Sequence, residues 1–348
     1  MLIRQTAPVF GAANPYQTAG ETQVSLSVRE LRSYTHYSLD VEQVQREQLG
    51  TNVINEQRAI DLTVTHALSE RFAVAVGVPF ISASWSIPTP TSPAPGPRAQ
   101  QDARGIGDIS VNGRYWLLDT RTHRTANIAV GAGVKMPTGK ADAQDTYPDR
   151  NGNNNQLRYV DQSIQPGDGG WGLELQALGF KRLGRVQMFG SAAYLVNPRD
   201  TNGTPSISVT RLPPGATAPA AQADRLVNSV PDQYLVRLGA GAPLGKGFVG
   251  SASLRAEGMP RYDLLGASHG FRRPGIELFV EPGLTYAKNG SVWSVNVPIG
   301  FYRNRKPDPY TGAAGDATFP KYIILGSYGF TFGGRKASAA PTDAGRSE

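Results

Sequence analysis

Three short constellations in this 348-residue chain carry residue types that could do chemistry. Gly133 followed by Lys135-Met-Pro-Thr-Gly-Lys140 has the outline of a phosphate-binding loop. Its spacing is one residue too long, Ala141 replaces the Ser/Thr, and no helical pattern follows to aim an N-terminus at phosphate. The phosphate reading is rejected. Asp149-Arg-Asn-Gly-Asn-Asn-Asn155 places oxygen ligands at alternate positions, as calcium loops do. It offers one carboxylate and lacks the bidentate Glu that closes a strong site, so a hydrophilic surface loop is favoured and no metal is expected. The third is hydrolytic: a lipase would need a Ser–His pair. His36, His123 and His269 fall in loops or turns, and His66 reads as an interfacial imidazole. No catalytic residue and no cofactor are expected, and the absence of cysteine removes disulfides and thiolate metal sites.

A larger set is charged: Asp61, Asp108, Arg114, Lys135, Glu174, Arg237, Arg255, Glu257, Glu277 and Glu281. These alternate with apolar residues, so their meaning depends on the elements that hold them. Between about 20 and 332, about twelve segments of period-2 hydrophobicity follow one another. In one, Ile60, Leu62 and Val64 oppose Asp61, Thr63 and Thr65; in another, Trp293, Val295, Val297, Ile299 and Phe301 oppose Ser294 and Asn296. Their connections also alternate. Short turns lie near 69–70, 119–125, 183–185, 243–246 and 288–290, and long polar loops near 35–57, 85–104, 137–169, 197–231, 258–273 and 303–320. An outer-membrane barrel separates short periplasmic turns from long extracellular loops in this way.

The expected fold is therefore all-β, an antiparallel transmembrane barrel of about twelve strands over 20–332. Residues 1–19 read as a periplasmic segment or lumen plug, and 333–348 as a polar, disordered tail. The longest apolar runs are too short for a helical span of about 20 residues but suit a tilted strand of about 9–11. Lys and Arg are scattered despite a net charge of +7, so no nucleic-acid footprint is expected. No apolar export signal precedes the polar stretch 5–20; the expectation is a signal removed from this numbering or lying upstream.

Aromatic placement separates a membrane barrel from a soluble sandwich. With the N-terminus in the periplasm, Trp85, Trp171, Tyr194, Tyr234, Tyr302 and Tyr322 fall at the extracellular rim. Trp116 (with lumen parity), Trp293, Phe180, Phe248, Tyr286, Phe330 and Phe332 fall at the periplasmic rim. Two girdles are what lipid headgroups select. The ten charged residues then face the lumen, where they could line a pore and tune its selectivity, or pair across it and lock the wall.

Three motifs carry a family resemblance: Gly105-Ile-Gly-Asp-Ile-Ser-Val-Asn-Gly-Arg-Tyr115, Gly133-Val-Lys-Met-Pro-Thr-Gly139 and Gln165-Pro-Gly-Asp-Gly-Gly-Trp-Gly172. Over about 58–332 the chain resembles the outer-membrane transporters grouped as "meta-pathway of phenol degradation" proteins. The resemblance implies one outer-membrane barrel and passage of small aromatic or hydrophobic compounds, with no defined substrate site. Physically, the motifs read as devices by which the chain enters and leaves the wall. The ending Tyr328-Gly-Phe-Thr-Phe332 is similar to the signal read by barrel-assembly machinery, but a polar tail follows it. The expected function is a porin-like channel or transporter of a Gram-negative outer membrane, with membrane lipid and a small-molecule solute as partners. The alternative is a structural or adhesive barrel whose long loops bind partners outside the cell.

Overall fold

A computed structural model describes residues 17–90, 95–218, 220–312 and 315–334. Most of the expected N-terminal plug (residues 1–16) and most of the tail (335–348) lie outside the described residues. The period-2 segments become twelve barrel strands. They are β1 (Glu21–Ser38), β2 (Ile54–Ala67), β3 (Phe72–Pro88), β4 (Arg98–Ile106 and Ser110–Trp116), β5 (Ala126–Lys135) and β6 (Gly172–Leu183). The remainder are β7 (Val186–Val196), β8 (Gln233–Gly245), β9 (Phe248–Met259), β10 (Gly275–Lys288), β11 (Ser291–Asn296 and Ile299–Arg305) and β12 (Asp316–Gly333). Each pairs antiparallel with the next, and β12 closes on β1 from Glu21 opposite Gly333 to Ser38 opposite Asp316. Closure leaves no free sheet edge, so most backbone groups of the spanning strands are satisfied within the sheet, as lipid demands.

Burial runs opposite to that of a soluble protein. Leu62, Val76, Ile128, Leu175, Leu254 and Val295 stand exposed on the outer face. Among the described residues, buried polar and charged side chains outnumber buried apolar ones. A continuous apolar belt on a closed wall has no aqueous explanation; it is the surface that hydrocarbon requires.

Several loops are shorter than the alternation suggests, because β1 to β4 and β12 continue beyond the belt. The connections are 39–53, 89–97 and 306–315 rather than 35–57, 85–104 and 303–320. Above the belt the outward positions become polar: Glu30 and Arg32 on β1, Arg58 on β2, Ser82 and Ser84 on β3, Asp102 and Arg104 on β4. The strands persist there, but their apolar signature ends at the lipid boundary. The turn placed at 243–246 is likewise tighter, since β8 runs to Gly245 and β9 begins at Phe248.

Two interruptions mark the wall. β4 breaks at residues 107–109, and beyond Lys135 the chain leaves the sheet until Gly172. β11 breaks at 297–298. Above that point its β-pairing with β12 is confined to Ile299 opposite Tyr322. There the Arg303 guanidinium donates to the Pro320 carbonyl at 2.6 Å, a side chain standing where a ladder bond would be.

Candidate functional site

The interior begins with parity: every second residue of a closed strand must point inward. Asp61, Asp108, Lys135, Glu174, Arg237, Arg255, Glu257, Glu277 and Glu281 are all buried, and Arg114 is partly buried. Inward placement is clearest where side chains meet across the lumen. Arg29 of β1 reaches Glu257 of β9, four strands away around the wall, at 2.7 Å. Glu257 also holds Arg255 at 2.6 Å. Arg255 approaches Glu281 at 3.6 Å, and Glu281 holds Arg237 at 2.8 Å. Glu277 pairs with Arg303 at 2.9 Å. Four guanidiniums thus face three carboxylates in one layer across the barrel. Charges removed from water persist only when paired, and this chain supplies the pairing, while Arg29 Nε and Nη1 and Glu281 Oε2 find no hydrogen-bond partner among the described residues.

The opposite wall is built differently. Lys135 of β5 forms an ion pair with Asp168 and lies 3.7 Å from Asp108. The Asp108 carboxylate accepts the backbone N–H of Gly139 and of Asp168, both at 3.0 Å. This is where the three glycine-rich motifs of the sequence meet. A Cβ on Gly139 would lie 2.7 Å from the Cα of Gly167 and 2.9 Å from the carbonyl carbon of Gly107. A Cβ on Gly167 would lie 2.4 Å from the Gly139 oxygen. Only glycine lets these backbones approach so closely. Rather than separate entry and exit devices, the motifs form a single joint at the break in β4.

That joint directs loop 136–171 against the inner wall. Ile164 and Val160, both fully buried, pack with Ile81, Ala83, Trp85, Ala103 and Ala143 in an apolar cluster. Asn55 and Gln57 of β2 donate to the Ser163 hydroxyl and carbonyl, each at 2.6 Å. On the outer side Asp161 accepts from Arg273, at 2.6 Å in the ion pair, and from Ser163. Burial pushes the Asp161 carboxyl up, but Arg273 and the Ser163 hydrogen bonds outweigh it and hold the group below the usual carboxylate range.

Two chambers flank the charged layer. A small outer one of about 100 Å³ touches Trp85, Gln162, Gln233, Met259 and Arg273. An inner one of about 380 Å³ lies toward the short turns, between Trp116, Phe180, Phe189, Arg237 and Asn296. Arg114, beside it, donates to the Gln17 side chain at 3.2 Å, so the start of the described chain reaches the inner mouth. Glu174 accepts from Gln176 at 2.5 Å.

Two tryptophan placements are corrected. Trp85 is 6% exposed and points inward, because it shares parity with Ile81 and Ala83 and supports the inserted loop. Trp116 is 1% exposed and meets Phe180 edge-on at 5.9 Å in the lumen. Phe180 therefore belongs to the interior as well. Trp171, Trp293, Tyr322, Phe330 and Phe332 stand exposed on the outer face, with Tyr194, Tyr234 and Tyr286 partly exposed. Trp293 packs on Tyr328 at 4.2 Å, and Tyr286 on Phe248 at 4.6 Å.

The remaining candidates find local partners. Asp149 accepts the N–H of Asn151 and Asn153 and the Asn154 amide. The Asn154 hydrogen bond leads the effects that lower its pKa. Its oxygens are occupied by its own loop. His66 Nδ1 lies 2.9 Å from the Thr22 hydroxyl, His36 Nδ1 lies 3.1 Å from Asp316, and His269 stacks on Tyr310. Sequence reasoning missed Arg29, Arg303, Asp168 and Phe189. Parity with Ser25 and Ser27 would have revealed Arg29, whereas Asp168 could be placed only by the fold.

No family model and no curated protein matches this sequence. Among solved structures, the COG4313 outer membrane channel from Pseudomonas putida F1 is similar over 91% of this chain and 97% of its own, with 12% identity and a TM-score of 0.58. The translocator domain of autotransporter NalP from Neisseria meningitidis covers 91% of this chain and 90% of its own, with 13% identity and a TM-score of 0.44. The toluene transporter TodX from Pseudomonas putida covers 92% of each, with 9% identity and a TM-score of 0.44. The first of these shares the fold. With the closed wall and its apolar belt, it identifies an all-β, twelve-stranded barrel of the bacterial outer membrane.

Proposed function

We propose that this barrel is a passive channel for small molecules, hydrophobic or aromatic compounds among them. The supporting observation is that a polar layer, rather than a continuous apolar core, divides the two chambers. Ion pairs between guanidiniums and carboxylates can exchange partners with water and solute, whereas a close-packed core cannot part without large cost. The ten predicted charged residues, joined by Arg29 and Arg303, would set selectivity together with the joint-held loop. The structural likeness to an outer membrane channel agrees with this reading. The test is purified protein in planar bilayers: discrete steps that respond to solute are expected, and silence under every condition would overturn it.

A second reading, a loop-mediated adhesive barrel, has one observation in its favour. Leu157, Tyr262, Leu264 and Leu265 stand exposed on the outer loops, beyond the lipid belt.

A further inference from the structure

We infer that the inner chamber is a binding site for a small aromatic anion such as an aromatic carboxylate. This names a solute class for the channel proposed above and rests on that reading. Three arginines line the chamber, Arg182, Arg185 and Arg237, and among the described residues its lining includes no carboxylate. Trp116, Phe180 and Phe189 supply inward rings at this end of the lumen. Arg237 lies 4.9 Å from the Phe189 ring centre, which places a cation and an aromatic face side by side. Its partner Glu281 holds it from the charged layer above.

The remaining polar lining is hydroxyl and amide, which can donate as well as accept, and Asn296 Oδ1 already accepts from Arg237 at 3.2 Å. Among the described residues, the Ser191 hydroxyl and the Trp116 indole N–H in this wall are buried and have no hydrogen-bond partner. Arg182 gives its Nε–H to the Gly184 carbonyl and is otherwise exposed, and Arg185 is exposed on the adjoining turn. A planar anion can satisfy such an arrangement in two ways at once: its ring stacks on the aromatic wall, and its carboxylate accepts charge-assisted hydrogen bonds. A chamber of about 380 Å³ admits a single-ring solute.

The surrounding field has the same sign. The turns at this end carry Arg71, Arg121, Arg124, Arg185 and Lys246 against Glu70 and Asp119. A low-dielectric wall concentrates the potential of such a rim at the mouth and raises the local concentration of anions. The charged layer then forms the end of the chamber away from the turns, so a bound anion would rest beneath Arg237.

Titration calorimetry of the detergent-purified barrel with benzoate, benzylamine and cyclohexanecarboxylate tests the inference. Benzoate is expected to give saturable heat, benzylamine none, and cyclohexanecarboxylate weaker binding than benzoate. Replacing the two exposed arginines together (R182Q/R185Q) should weaken benzoate about fivefold, the effect of two solvated charges. F189L, which keeps bulk but removes the ring, should reduce the preference for benzoate over cyclohexanecarboxylate. Benzylamine binding as tightly as benzoate, or unchanged benzoate binding in R182Q/R185Q, overturns the site. Bilayer conductance without saturable benzoate heat removes the site and leaves the channel standing. Benzoate binding by a barrel silent in bilayers supports the site while removing conduction.

Discussion

On the β3 side the lumen is closed by inserted chain: Ile164 and Val160 press against Trp85, and three glycine-rich stretches interlock beneath them. On the β8 to β11 side it is crossed by charge, from Arg29 through Glu257, Arg255 and Glu281 to Arg237. The first closure depends on shape and has no slack, since backbone atoms are already in contact. The second depends on pairing and can rearrange if each charge finds a new partner. An obstruction that must fit and one that can exchange partners make different predictions for the same barrel.

The largest effect is expected where fit is absolute. Gly167→Val would drive its Cβ to within 2.4 Å of the Gly139 oxygen, and that backbone cannot yield without opening the joint. A loss of more than about 3 kcal/mol is expected. A folded band on a heat-modifiable gel with unchanged melting would break the claim that the motifs act as one joint. Next is Glu257→Gln, which leaves Arg29 and Arg255 facing a neutral amide. Breaking such a buried network costs about 3–5 kcal/mol, read as a lower unfolding midpoint in detergent. An unchanged midpoint would show that water already shields these charges.

Ile164→Ala should cost about 2–5 kcal/mol in the inserted loop and widen the passage, so single-channel conductance should rise. If conductance stays fixed, the loop is not the constriction. Acid provides a gentler test. Arg273 and the Ser163 hydrogen bonds hold Asp161 below the ordinary value of about 4, so the clasp contributes above that value. Its contribution disappears as pH falls through the depressed value in the folded state. Protease access to loop 136–171 should therefore be flat from neutral pH down to about 4 and rise below it. Asp161→Asn should show raised access across the whole range. Smallest of all is Arg58→Ala: its pair with Glu30 is exposed on the outer face above the belt. About 0–1 kcal/mol is expected, which makes it the control for the buried pairs.

The same contrast shows how far sequence could reach. Inside the belt, strict alternation gives a face to almost every residue, and Asp61, Glu174 and Glu277 are buried. Above the belt, lipid no longer selects apolar outward residues, so Arg32, Ser84 and Asp102 hid strands that continue. Trp85 was misplaced because position along a strand suggested a rim while parity pointed to the interior. The glycine joint was visible as three motifs, yet nothing in their spacing said they touch. Their meeting depends on pairing across more than one strand, which local pattern does not encode.

The seam between β1 and β12 joins the two ends of the described chain, running nearly the full length of both strands. Its contacts are the most distant in sequence, so loop-closure entropy places them late in assembly. Once formed, they have no frayed edge from which to peel, and opening must break a long ladder before any compensating freedom is gained. The barrel's resistance to unfolding is in that sense a matter of rate, guarded at the place where the chain meets its own beginning.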